Sequence, residues 1–539
     1  MQSERMLLSG DEAVALAARD GHVKLGTGYP GTPSTEILEA FSELGGRAQW
    51  SPNEKVALEV AIGAAFAGAR AICTMKHVGL NVAADPLFTV AYTGVEGALV
   101  VVSADDPGMA SSQNEQDNRR YAVAAGVPML EPADSQEAYD FTLLAIEISE
   151  RWHIPVLLRM TTRICHSYTV VRPRPQLAAP PDPHFARNVA HRVMIPAYAR
   201  PSHVRLREKL EAIAQWNETE GPNRVSECAG AGARGIVTSG ISYMYVREAE
   251  PEAPVLKLGM THPLPLAAIQ AFAREHSPTM VVEEGDPYLA DAVRAASIAV
   301  ESKPAMFRFG ELNVDRVRRI LKGDASPEVK SPSGKPPELC PGCPHRSVFT
   351  ALRDLNCIVA GDIGCYTLGV LPPFNALDTC VCMGAGITVG LGLRQVLPPE
   401  EARRVVSVIG DSTFLHSGIT GLVEAVYNPP PTGHLTIILD NGTTAMTGMQ
   451  EHPGTGRSLD HRRAGKVVIE RLIESLGIAA PVVVDPTVDP AKFQELVQEA
   501  LASGAVRVIV ARRDCLLATA KIKSYEQALQ REACLALEE

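Results

Sequence analysis

Short apolar runs alternate along this chain with stretches whose apolar positions return every three or four residues. That alternation predicts strands separated by helices, the signature of an α/β protein with parallel sheets. Residues 98–103 and 154–158 are apolar at nearly every position, as strands covered on both faces must be. Residues 56–69 read as a helix of small residues that packs closely. Over 206–213, Leu206, Leu210 and Ile213 fall on one helical face, and strands are predicted over 235–240 and 279–284. Two further strands, 405–409 and 435–439, end in Gly410-Asp411-Ser412 and Asp440-Asn441-Gly442, and another covers 506–511. A terminal helix is predicted over 524–537.

Breaks in the pattern divide the chain. Residues 172–183 hold five prolines in twelve residues, which neither a helix nor a central strand accommodates. Residues 322–337 are rich in proline, serine and charge. The expected organisation is a first domain over 1–171, a linker over 172–185, a smaller α/β domain over 186–321, a linker over 322–337 and a third domain over 338–539. A length of 539 residues is too great for one core.

Composition removes several classes of function. The net charge of −11 argues against a general nucleic-acid binder, which needs clustered Lys and Arg. No apolar run approaches the ~18 residues of a membrane span, and the start of the chain lacks a signal-peptide core. A cytoplasmic protein with no membrane or nucleic-acid partner is expected. In that compartment closely spaced cysteines mean metal or redox chemistry before disulfides, and six of the eleven lie between Cys340 and Cys382.

The candidate chemistry gathers at predicted strand ends. Asp411 and Asn441 follow two strands, and carboxyl ends of parallel strands are where open α/β sheets bind ligands. Oxygen ligands of this kind suit Mg²⁺ between protein and phosphate; the plain alternative is two ordinary βα turns. Gly26 to Thr35 is a loop of glycines, prolines and hydroxyl residues, with Ser34 or Thr35 a helix cap. Glu54 falls in the first turn of the small-residue helix, where the helix dipole favours a carboxylate, and Glu59 competes with it for any role. Residues 111–120 are ten consecutive polar positions, either a solvated loop or a site lining.

Cys340-Pro341-Gly342-Cys343 offers two thiolates from one tight turn, suited to zinc, an iron–sulfur cluster or a redox disulfide. Cys365 and Cys515 sit at loop-like ends and could complete a ligand set. Cys357, Cys380 and Cys382 lie in apolar surroundings and are expected to pack as core residues. Gly384-Ala385-Gly386 with Gly390 and Gly392 fails the dinucleotide spacing; a small-residue helix packed on its twin in another subunit is expected instead.

These stretches together resemble the alpha subunit of the indolepyruvate:ferredoxin oxidoreductases, within the thiamine-dependent 2-oxoacid:ferredoxin oxidoreductases. The resemblance rests on Gly28-Tyr29-Pro30-Gly31-Thr32-Pro33-Ser34, Asn53-Glu54-Lys55, Met75-Lys76-His77-Val78-Gly79-Leu80-Asn81 and Ser112-Gln113-Asn114-Glu115-Gln116-Asp117. It continues through Cys340 to Arg346, Asp362-Ile363-Gly364-Cys365-Tyr366 and Met446-Thr447-Gly448-Met449-Gln450. It implies two doubly wound thiamine-diphosphate-binding domains, the first for the pyrimidine and the third for the diphosphate. The middle domain would resemble the transketolase C-terminal domain.

The resemblance also implies roles. Glu54 would hydrogen-bond the aminopyrimidine. Asp411, Asn441 and the Thr443 carbonyl would hold Mg²⁺. Tyr29, Pro30, Thr32, His77, Asn81, Gly364, Tyr366, Gly384, Gly410, Ser412, Met446 and Thr447 would line the cofactor, and Thr32, Ser112, Gln113 and His345 the substrate. Cys340, Cys343, Cys365 and Cys515 would ligate one 4Fe–4S cluster. The implied reaction is oxidative decarboxylation of an aryl 2-oxoacid to its acyl-coenzyme A, with electrons passing to a ferredoxin-type acceptor. A small beta subunit would complete a dimer of heterodimers. One departure is that the ferredoxin-like domain usual at the family's C-terminus does not follow Cys515, and Cys534 stands alone. The relay is therefore expected to be shorter, to lie in another subunit or to be absent. A non-oxidative thiamine-dependent decarboxylase or ligase and a non-catalytic scaffold subunit are the competing readings.

Overall fold

The computed structural model describes residues 5–226, 234–328 and 337–538, with side chains to residue 528. Residues 1–4, half of the linker expected over 322–337 and the Cys534 side chain lie outside what is described. The chain forms two compact units, 1–329 and 330–539.

The first unit holds two parallel-based sheets. The larger has seven strands in the order Met260–His262, Met129–Leu130, Val156–Thr161, Leu99–Asp105, Ala71–Lys76, Leu25–Gly28 and Ala48–Trp50. All pair in parallel except Met260–His262, which runs antiparallel to Met129–Leu130. Leu99–Asp105 is buried at every position, as its unbroken apolar run requires when both faces are covered. The second sheet has five strands in the order Glu301–Ser302, Thr279–Val282, Gly235–Ser239, Val255–Leu258 and Arg224–Ser226. Met260–His262 thus leaves the neighbourhood of the smaller sheet and becomes an edge of the larger one. The long helix Pro196–Thr219 buries Leu206, Leu210 and Ile213, the face its spacing predicts.

The proline-rich segment after residue 171 has no regular structure but is strapped down. The Leu177 amide donates to the Asp20 carbonyl at 3.1 Å, and Arg70 donates to the Ala178 carbonyl at 3.0 Å.

Buried ion pairs hold the two sheets of this unit together. Arg119 pairs with Asp117 at 2.7 Å and with Glu283 at 2.6 Å, and it donates to the carbonyls of Glu284 and Asp286. Glu283 in turn accepts from the amides of Leu289 and Ala290, which satisfies the start of helix Tyr288–Ala295. Arg159 joins Asp105 at 2.7 Å and Glu131 at 3.4 Å, and Glu131 also accepts from Ser239 and Thr261. The polar run over 111–120 therefore has two characters. Its start is exposed, whereas Asn118 and Arg119 are buried anchors.

The second unit is one five-stranded sheet, parallel throughout, in the order Ile358–Ala360, Val405–Gly410, His434–Asp440, Val506–Arg512 and Val482–Val484. Helix Ala385–Val396 lies on it. Two of the glycines expected to pack on a second subunit, Gly386 and Gly390, face this sheet instead, whereas Gly392 has open space beside it. A Cβ at Gly386 would come 2.9 Å from the Gly361 carbonyl oxygen, and one at Gly390 would come 2.3 Å from Ser407 Oγ. These glycines let the helix sit on its own sheet. Among the described residues no helix is long and apolar enough to cross a membrane.

Removing Arg119 would leave the buried Glu283 and the half-buried Asp117 without their guanidinium partner. The substitution Arg119→Met is expected to cost about 3–5 kcal/mol. It should speed amide hydrogen exchange across Leu99–Asp105 more than a hundredfold, roughly what that energy allows when exchange follows opening of the unit. Lys55→Ala, which removes an exposed pair with Glu59, should leave exchange unchanged.

Candidate functional site

In the first unit the expected cofactor residues all follow carboxyl ends of neighbouring parallel strands. Tyr29, Pro30 and Thr32 follow Leu25–Gly28, Glu54 follows Ala48–Trp50, and His77 and Asn81 follow Ala71–Lys76. Tyr29 and Pro30 are buried and Thr32 half-buried. Ser34 precedes helix Thr35–Glu43 but does not cap it, nor does Thr35. The Ser34 hydroxyl donates back to the Gly31 carbonyl at 3.1 Å, and Thr35 Oγ1 accepts from the Gly31 amide at 3.0 Å. Both hydroxyls stiffen the loop rather than the helix.

Glu54 opens helix Glu54–Phe66, and Asn53 caps it by accepting from the Val56 amide at 2.9 Å. Its side chain is 4% exposed. Gly79 explains how the short helix His77–Val82 passes over it, since a Cβ there would lie 2.6 Å from Glu54 Cγ and 2.8 Å from its Oε1. Glu59, the competitor, is exposed and paired with Lys55.

His77 is fully buried. Its Nδ1 accepts from the Val78 amide at 2.7 Å, so Nε2 carries the proton and donates to the Asn114 carbonyl at 3.0 Å. Burial pushes its pKa down to about 4, so the ring is neutral. Asn81 is exposed. Ser112 is half-buried and its hydroxyl donates to Asp106 Oδ2 at 2.6 Å, while Gln113 is exposed.

Lys76, which pattern reading passed over, connects these loops. It lies 3.2 Å from where a Cβ of Gly31 would be, and its Nζ donates to the Ser111 carbonyl at 3.2 Å. Burial lowers its pKa, against the opposing charges of Asp106 and Glu54.

The second unit gathers the diphosphate candidates. The parallel register that pairs Gly410 with Leu439 sets Asp411 level with Asp440. Asp411 accepts from the amides of Ser412 and Gly442, each at 2.9 Å, and lies 3.3 Å from His452 Nε2. Burial raises the Asp411 pKa, but His452 and the Ser412 amide outweigh it and hold the carboxyl below its ordinary value. Burial and the Asp411 charge push Asp440 up to about 6 despite Arg512 at 2.7 Å. Two carboxylates forced together are what a divalent cation would relieve, so this donor set fits Mg²⁺.

Around them, Asn441 Oδ1 accepts from the Thr443 amide at 3.1 Å. Thr443 Oγ1 donates to the Gln450 carbonyl, Thr444 Oγ1 to Ser412 Oγ and Thr447 Oγ1 to Gln450 Oε1. Gly442 takes a φ of +70°, which favours glycine in this turn. Met446, by contrast, is 51% exposed.

Asp362 is the third acidic strand end, and its carboxylate accepts from the amides of Gly384 at 2.9 Å and Gly386 at 2.8 Å. Tyr366 lies against Gly364 and Gly410, where a Cβ would sit 2.4 Å and 2.7 Å from its ring, and its hydroxyl donates to the Ile363 carbonyl. His345 is buried edge-to-face against Tyr366, with centroids 6.1 Å apart, and burial pushes its pKa down to about 4.

Cys340, Cys343, Cys365 and Cys515 line one cavity of about 110 Å³, together with His345, Asn441, Met449 and Leu516. Gly342, at φ +77°, makes the turn that brings Cys340 and Cys343 round, and the Cys343 amide donates to the Cys340 carbonyl at 3.0 Å. Burial raises the Cys343 and Cys365 thiols, the latter to about 11, and the charges of Cys340 and Cys515 raise both further. A four-thiol shell around a small space fits a cluster, which sits between its ligands. Cys357 and Cys380 pack against the core, as expected. Cys382 does not; it is exposed. The reason is that the chain there leaves the sheet edge before helix Ala385–Val396 begins.

Residues 16–220 match the family described as pyruvate flavodoxin/ferredoxin oxidoreductase, thiamine diphosphate-binding, and residues 362–511 match the thiamine pyrophosphate enzyme C-terminal binding domain. The chain is 40% identical to the indolepyruvate oxidoreductase subunit IorA of Archaeoglobus fulgidus over 97% of its own length and 89% of that protein. It is 38% identical to the same subunit of Methanothermobacter thermautotrophicus, over 99% of its length and 90% of that protein. Among solved structures, the 2-oxoglutarate:ferredoxin oxidoreductase of Magnetococcus marinus is similar with a TM-score of 0.52 and 18% identity, over 60% of this chain and 65% of that one. At that identity the likeness concerns the fold alone. Nearly full-length identity to these subunits, with thiamine diphosphate-binding domains in both units, settles the family: the chain belongs to the IorA subunits of the thiamine-dependent 2-oxoacid:ferredoxin oxidoreductases.

Proposed function

We propose that this chain is the thiamine-diphosphate-binding subunit of an aryl 2-oxoacid oxidoreductase, producing an aryl-acetyl-coenzyme A and passing electrons to a ferredoxin-type acceptor. Bound thiamine diphosphate supplies the nucleophilic carbon that attacks the keto carbon and the electron sink for decarboxylation. The chain's own residues supply position and charge. Glu54 offers a buried carboxyl at a helix start for the aminopyrimidine. Asp411, Asn441 and the Thr443 carbonyl would hold Mg²⁺ on the diphosphate, and the hydroxyls of Ser412, Thr443 and Thr447 line the same edge. Neutral His77 keeps the 106–118 loop tied to the strand end, so that Ser112 and its neighbours hold one conformation.

The observation that carries the oxidative reading is the thiol cavity. Cys340, Cys343, Cys365 and Cys515 border a space that also reaches Asn441, and the Cys515 amide donates to the Asn441 carbonyl at 3.0 Å. A one-electron acceptor held by these thiols would stand beside the residue proposed to hold the metal. A non-oxidative decarboxylase has no use for such a shell. The aryl substrate rests on the relatives' printed name, and their being called subunits supports a small partner subunit. With a symmetric pairing, that partner would give a dimer of heterodimers.

Anaerobic purification with the partner subunit, followed by iron and sulfide analysis and an absorbance spectrum, is expected to yield a brown protein. Its iron in this subunit should be lost in Cys343→Ser. A colourless, iron-free preparation that still oxidises arylpyruvate would overturn the reading. For the diphosphate half, Asp411→Ala should reduce Mg²⁺-dependent thiamine diphosphate binding below detection by calorimetry. Unchanged affinity would contradict the assignment of Asp411.

A further inference from the structure

A second cluster of ligand-type side chains lies in the first unit, among residues to which the proposed reaction gives no role. Asp11 is the second residue of helix Gly10–Asp20, Glu36 the second of helix Thr35–Glu43, and His166 the last of helix Thr162–His166. One ligand atom from each lies within 4.8 Å of the other two, and among the described residues this is the group of three or more His, Cys, Asp or Glu that does so. The approach is built in. Gly10 lies so close to the short helix that a Cβ there would be 2.2 Å from the Ile164 carbonyl oxygen.

Helix-start carboxylates are common, and the dipole alone would account for a solvated one. It does not account for Asp11. That side chain is 1% exposed, and no N–H or O–H donates to either of its carboxylate oxygens; the polar groups that face it are the Cys165 thiol and the Glu36 carboxyl. The Cys165 thiol nearby is only a weak donor. Nor is Asp11 needed as a cap. Ser9 and Glu12 already form a reciprocal capping pair at this helix start, with the Ser9 amide donating to Glu12 at 2.7 Å and the Glu12 amide donating to Ser9 at 3.1 Å. A buried polar group without a partner is costly, and a carboxylate set against another carboxylate more so. Glu36 and His166 are exposed, so an ion from solvent can reach the cluster.

We propose that Asp11, Glu36 and His166 form a metal site, separate from the residues assigned to the cofactor, that takes a divalent transition ion of the zinc class. Two carboxylates and an imidazole are the ligands such an ion accepts, with water filling the solvent side. The imidazole argues against Mg²⁺, which takes oxygen ligands. The ion would fasten the starts of two helices to the end of a third, and it would give Asp11 the partner it lacks.

The test is a Co²⁺ titration of the metal-stripped full chain, with excess Mg²⁺ and thiamine diphosphate present to occupy the diphosphate edge. Cobalt on the cysteines shows sulfur-to-metal charge-transfer bands; cobalt on oxygen and nitrogen shows visible bands without them. One equivalent of sulfur-free cobalt is expected in the unaltered chain, and it should disappear in both His166→Ala and Glu36→Gln. Because those two side chains are exposed, the variants should fold, which circular dichroism checks. No sulfur-free cobalt in the unaltered chain would overturn the proposal and leave Asp11 and Glu36 sharing a proton. The same equivalent persisting in both variants would overturn it as well.

Discussion

Parallel pairing brings three acidic strand ends to one edge of the second unit, and like charges gathered in a buried place must each be answered. Asp362 is answered by two amides at the start of a helix. Asp411 is answered by two amides and by His452. Asp440 has Arg512, yet its carboxyl still rises to about 6 because Asp411 stands level with it. The order of satisfaction matters more than the number of charges. The edge is neutralised where it supports structure and left wanting between Asp411 and Asp440, where a cation has something to gain. The rest of the half-site is arranged round that deficit, with Thr443 donating its amide to Asn441 Oδ1 and its hydroxyl to the Gln450 carbonyl.

The thiol cavity depends on the same strand end. The strands His434–Asp440 and Val506–Arg512 run side by side, so the segments leaving them stay adjacent, and the amides of Arg513 and Cys515 donate to the carbonyls of Asp440 and Asn441. Cys515 therefore has its place because Asn441 has its own. Cys340 and Cys343 arrive from a turn in a distant part of the chain, held by a glycine at positive φ. The proposed metal and cluster sites are in this sense one construction with two openings. A backbone shift that moved Asn441 would move both.

The first unit solves a different problem, that of joining two sheets whose apolar faces are already covered. It uses buried charge. Arg119 reaches Glu283 beside the smaller sheet, and Arg159 holds Glu131, which accepts from Ser239 of that sheet; each arginine is met by a carboxylate that also satisfies a helix start or a hydroxyl. Such pairs add little net stability over apolar packing, but breaking one is severe. The consequence is precision. Asn118 and Arg119 tie down the end of the loop that carries Ser112 and Gln113, and His77 ties down its middle through Asn114. The exposed loop tip thus inherits a fixed base.

Much of this was legible in the residues. Apolar runs mark the strands because strands buried on both faces leave no other option, and the strand-end placing of Asp411 and Asn441 is legible because parallel strands end at one edge. What escaped was set by distance in space. Asp440 adjoins Asn441 in the sequence, but its importance comes from a register that only the paired strands reveal; the repeated acidic strand ends were the available signal. His452 and Lys76 act on partners tens of residues away, and nothing in their own neighbourhood announces it. Cys382, Gly386 and Gly390 depart from expectation for a related reason. Composition says that a segment is small or apolar, but which surface it meets is decided by the sheet beneath it. Ser34 carries the same lesson at the shortest range. A hydroxyl at a helix start has two acceptable partners, the helix amides ahead or the loop carbonyl behind, and the loop's own need for rigidity chose the second.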